Sequence, residues 1–188
     1  TITGELDAAT LDISGDADID GTTNLDVVDI DGAVDMASTL QVDGAITTSD
    51  GMIITTADNT DTLTLISTDD DTAEGPILNF TRNPSGIAAG DLTGTIKFVA
   101  DDAGGNVTTY YEIQSSIEDG TDGGEDGRLT FMQTLGGSAV NMLDMLSGNV
   151  VFNQDSNDVD FRVESNGNTH MIFVDAGNDH VNIGTATD

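Results

Sequence analysis

The chain has 188 residues, 37% of them apolar and mostly with short side chains, with no Trp and two Tyr, which argues against a large globular core. Four basic residues stand against 35 acidic ones, a formal charge of -31, so neither a nucleic-acid backbone nor an anionic membrane surface would find the cations it needs. Cysteine is absent, which removes disulfides, thiolate metal sites and cysteine nucleophiles.

The acids are mostly Asp, a residue suited to turns and strand rims rather than helices, and this tilts the expected fold toward β. Such a charge strains any compact or oligomeric state in dilute buffer, whereas a Debye length of about 3 Å near 1 M salt quenches most of it. A saline habitat follows. No apolar run is long enough to cross a membrane as a helix. The chain opens at Thr1 without a charged and apolar leader, and it reads as an internal segment of something longer.

From Leu6 to Ile54 the sequence repeats a small unit of alternating apolar and polar residues closed by Gly: "LDISG" at 11 to 15, "DIDG" at 18 to 21 and 29 to 32, and "QVDG" at 41 to 44. Alternation predicts strands with one buried face, and the recurring Gly permits a turn between units. The apolar parity changes near Val27 and Val28, as a bulge or corner requires. Strands this short cannot stand alone. The glycines at 15, 21, 32 and 44 are 6, 11 and 12 residues apart, a poor period for a single-chain solenoid. A homotrimer whose copies cover one another is the favoured solution, since cyclic symmetry satisfies each copy equally.

From about Ala57 longer alternating runs appear: "TLTLIS", "PILNFTR", "TGTIKFVA", "VTTYYEIQSSI", "RLTFMQTL" and "AVNMLDML". Their spacing and the Gly, Asn and Asp between them predict an antiparallel sandwich-like domain, with Tyr111 inside and Tyr110 outside. The last forty or so residues predict three more strands, joined at "SNGN" and "DAGND". The expected fold is therefore all-β: an elongated homotrimeric fibre with a short-strand repeat shaft over 1–56, a β-sandwich-like domain over 57–148, and a hairpin segment over 149–188 that resumes the shaft.

Candidate sites are weak. Asp16, Asp18, Asp20 and Gly21 match the first half of a calcium loop, but Val27 stands where a bidentate Glu is needed and no helix-forming sequence flanks it. Solvent-facing Asp on a repeat strand explains them better. Asp119, Asp122 and Glu125, with Glu118 and Asp126, form the densest acidic cluster, which could hold a hard cation such as calcium or form a solvated loop tip, the favoured alternative. "GNDHVNIG" at 177 to 184 is one isolated copy of a calcium-repeat pattern that needs stacked neighbours. His170 and His180 fall on adjacent predicted strands, where they could face each other, yet no third ligand or nucleophile accompanies them. A glycosidase pair is uninformative among 35 acids, and "DDAGGNV" follows no phosphate-binding pattern. No catalytic or cofactor-binding residue is assigned.

The stretches "ADNTDTLTLISTDDDTAEGPILNFTRN", "EDGRLTF" and above all "VDFRVESNGNTHMIFVDAGNDHVNIGT" resemble segments of tail-fibre and related structural proteins of marine tailed bacteriophages. The resemblance runs through most of the chain. It implies a long trimeric β fibre in the virion, outside the cell, contacting other tail proteins and linking the particle to a host surface receptor. In such fibres "VGIGT" often precedes Pro and a cleaved C-terminal chaperone; here the letters are "VNIGTATD", with Asn182 in place of Gly and no Pro. The alternative from another class is a calcium-stabilised cell-surface adhesin or filament of a marine or halophilic microbe. An envelope-degrading enzyme comes third.

Overall fold

The computed structural model describes residues 13, 14, 20, 28–72 and 74–184. The chain divides into two units, Thr1–Thr64 and Leu65–Asp188. Among the described residues there is no helix, and the strands form two antiparallel sheets.

In the first unit, residues 28–64 form no strand, and every one of them is exposed. The backbone bends at Asp31–Gly32, Ala37–Ser38, Asp43–Gly44 and Ser49–Asp50, so one bend follows another every six residues. Apolar residues keep the same interval: Val28, Val34, Leu40, Ile46 and Met52. Ile30, Met36, Val42 and Ile54 follow four of these by two positions, the spacing that puts both members of a pair on one face of an extended chain. Glycine spacing conceals this period, because the bend at Ala37–Ser38 has no Gly. The repeat copies at 11–15 and 18–21 and the parity change at Val27 lie largely outside the described residues.

The second unit begins without strands. "TLTLIS", which begins in the first unit, and "PILNFTR", expected as strands, form none and are exposed over their whole length. Phe80, in the second run, and Ile87, after it, each lie against a glycine. A Cβ placed on Gly94 would come 2.8 Å from Phe80 Cβ, and one on Gly120 would come 2.7 Å from Ile87 Cδ1. Between these anchors Arg82 pairs with Asp91 at 3.2 Å and donates to the Leu92 carbonyl at 3.1 Å.

The first sheet is a meander of five strands in sequence order: β1 (Leu92–Asp101), β2 (Val107–Asp119), β3 (Asp126–Leu135), β4 (Ser138–Leu146) and β5 (Asn149–Phe152). Turn chemistry accounts for the reversals. Asp102 accepts from the amides of Gly104 at 2.7 Å and Asn106 at 2.9 Å, closing the β1–β2 loop. Gly136 and Gly137 both have positive φ, 59° and 86°, as a two-residue hairpin turn between β3 and β4 demands. Where the sequence predicted packed layers over 57–148, the strands of that range all belong to this one sheet.

Register assigns the faces, since directly opposed residues lie on the same side. Ile96, Ile113, Phe131, Leu143 and Phe152 stand opposite one another in a single row across all five strands. A shift between Phe131 and Met132 keeps Val140, opposite Gln133, on this same side. The other face carries Lys97, Glu112, Gln114, Thr130 and Asp144. Tyr111 faces the apolar side, but it is 53% exposed against 39% for Tyr110, the reverse of the expected inside and outside. Val140 is the one buried apolar residue among those described; Thr130 and Asp144 are the buried polar ones.

The second sheet contains β6 (Phe161–Val163), β7 (Ile172–Asp175) and β8 (His180–Ile183), the three strands expected near the end of the chain. Phe161, Val174 and Val181 form one row and Val163, Ile172 and Ile183 the next on the same face. Phe161 meets Phe152 with ring centroids 4.7 Å apart, which brings the edges of the two sheets together at this pair.

Candidate functional site

The acidic loop between β2 and β3 is organised by its own amides. Asp119 accepts from Thr121 N at 2.8 Å, and Glu125 accepts from Gly123 N at 3.1 Å. Hydrogen bonds from Thr121 hold the Asp119 carboxyl below its ordinary value, and backbone donors do the same for Glu125. Asp122 joins neither arrangement in the described hydrogen bonds. Among the described residues no three His, Cys, Asp or Glu side chains gather as a metal site would require. Asp16 and Asp18 lie outside the described residues, and Asp20 is exposed.

The two histidines do not face each other. His170 precedes β7, bonds Thr169 Oγ1 through Nδ1 at 2.8 Å, and meets the Phe173 ring edge-on at 5.0 Å. His180 opens β8 opposite Asp175. The β7 strand begins only at Ile172, which shifts His170 out of the hairpin that alternation had suggested.

The most constrained polar group is one the sequence did not advertise. Asp144, in the middle of "NMLDML", has no exposed surface. Arg128 grips it with two donors, Nε to Oδ1 at 2.8 Å and Nη2 to Oδ2, while Thr130 Oγ1 donates to Oδ1 at 3.1 Å. The Arg128 guanidinium holds the Asp144 carboxyl below its ordinary range, against burial, which pushes it up. The same pairing raises Arg128. Asp144 lies on the polar face of the sheet, where Arg128 and Thr130, on the neighbouring strand, cap it. Cross-strand register between "RLTF" and "NMLDM" is the signal that could have found the pair.

Each of the four basic residues is matched to an acid: Arg82 to Asp91, Lys97 to Glu112, Arg128 to Asp144 and Arg162 to Glu164. All four lie in the second unit. Lys97–Glu112 and Arg128–Asp144 join neighbouring strands, while Arg82–Asp91 lies just before β1. What the surface does offer is apolar. A shallow hollow of about 320 Å³ lies against Phe98, Tyr111, Ile113 and Phe131, with Glu112 and Met132 at its border. No family model, curated protein or solved structure matches the chain.

Proposed function

We propose that the chain is a structural and adhesive segment of a homotrimeric bacteriophage tail fibre, linking the virion to the host surface. The observation that carries this reading is the six-residue rhythm of residues 28–54, with its apolar pairs all exposed and no strand among these residues. A repeat unit that cannot bury its own apolar face needs neighbours to stack on.

In this reading, three copies lie side by side and each supplies the layer that the others lack. The sandwich-like domain expected from the sequence then forms between copies rather than inside one. Attachment follows from repetition: three tethered copies of a weak contact rebind at high effective concentration, so no single deep pocket is needed. Virion tail proteins and an extracellular host receptor are the implied partners.

Multi-angle light scattering near 1 M salt tests the proposal. A mass of three chains is expected, and a stable monomer would overturn it.

A further inference from the structure

We infer that the apolar face of the five-stranded sheet is where a second copy of this chain packs, an inference that rests on the self-assembling fibre reading above. Ile96, Ile113, Phe131, Leu143 and Phe152 cross the sheet in one row, with Phe98 beside them. Ile96, Phe98 and Phe152 are 39%, 54% and 52% exposed, well above what a sheet packed on both sides leaves open.

Charge selects the occupant. A chain carrying -31 repels its own copy wherever carboxylates meet, so a copy can dock only on a surface that has none. The rows of this face, from Gly94 through Phe98 on β1 to Val150 through Phe152 on β5, hold no acidic residue. Glu112 and Asp144 project from the opposite face, where each is matched by a cation. A basic partner protein would gain little from these acid-free central rows, at whose two ends Asp101 and Asp119 stand, whereas a second copy gains the removal of repulsion.

Two of the chain's own side chains reach the margins, and Phe80 also lines a hollow with Ile113 and Leu129. Phe80 lies against Gly94 on the β1 edge, and Phe161 meets Phe152 on the β5 edge. Between them Ile113, Phe131 and Leu143 are half-buried, and the open part of the face lies at Tyr111 and the hollow beside Phe98 and Phe131. A like face from a copy completes the two-layer packing that a half-open sheet lacks.

The native sequence has no cysteine, so single thiols report cleanly. Ile113→Cys on the apolar face and Thr95→Cys on the polar face replace residues of similar half-burial within one chain. In the assembly, Ile113→Cys should react with a maleimide at least roughly tenfold more slowly than Thr95→Cys, and the gap should close on dissociation in denaturant. Phe131→Asp should lower the assembly mass while Thr95→Asp leaves it unchanged. Equal reactivity of the two thiols in an intact trimer would overturn the face and leave the fibre reading in place. A monomeric wild type would overturn both. Slow reaction of Ile113→Cys in a monomer would mean that the chain's own segment covers the face, which also overturns the inference.

Discussion

Residues 28–64 and residues 92–152 are written in the same alternating pattern, yet only the second stretch forms a sheet. Their apolar content does not separate them. What differs is the kind of punctuation: the first stretch bends every six residues without doubling back, whereas the second reverses through loops closed by Asp102, Asp119 and the Gly136–Gly137 pair. Alternation fixes which side of a strand is dry. Turn chemistry fixes whether the partner comes from the same chain.

The largest expected effect strikes the second region alone. Arg128→Met leaves Asp144 buried and unpaired, and urea unfolding of the sheet should show a loss of about 3 kcal/mol. The double change Arg128→Met, Asp144→Leu should recover most of it. An unaltered midpoint for the single variant would mean that the pair contributes nothing. A matched glycine pair sharpens the contrast at smaller scale. Gly137→Ala forces a side chain into positive φ and should cost about 1 kcal/mol. Gly44→Ala, at a bend with open space around it and no positive φ, should stay within about 0.5 kcal/mol. Equal costs would erase the distinction between reversing and non-reversing bends.

Acid titration follows the same line. The folded value of Asp144 is depressed below the ordinary 3.8, so its stabilisation is complete above that pH and is lost as pH falls through the folded value. A pH-dependent melt should lose this part of its dependence in Asp144→Asn. Salt gives the smallest effect. Melting temperature should be lower in dilute buffer than near ~0.5 M salt. Because every cation lies in the second unit, hydrogen exchange should reveal residues 28–64 losing protection first on desalting. Uniform loss along the chain would contradict this.

Much of the sheet region was legible beforehand. The runs containing Ile96, Tyr111, Phe131 and Leu143 became β1 to β4, and the three strands after Val159 appeared where Asn-Gly and Gly-Asn turns placed them. All-β character followed from the Asp-rich composition. "TLTLIS" and "PILNFTR" were misread because alternation is a local property, while pairing needs a reversal that neither run has. The six-residue bend period was hidden by attention to Gly, since Ala37–Ser38 makes the same bend without it. The Arg128 grip on Asp144 was invisible for a different reason: it depends on the register between strands, which no single strand encodes. The acidic cluster at Asp119, Asp122 and Glu125 was visible as a cluster, but the competition of its own amides for the carboxylates was not.

The even interval between bends from Asp31 to Asp50 has a consequence for how such a segment can change in length. Adding or removing one whole hexad leaves every later side chain on its original side, whereas inserting any odd number of residues would turn the greasy side outward. The segment therefore behaves as a ruler graduated in sixes, along which reach can be extended stepwise while each increment carries the same lateral instructions as the last.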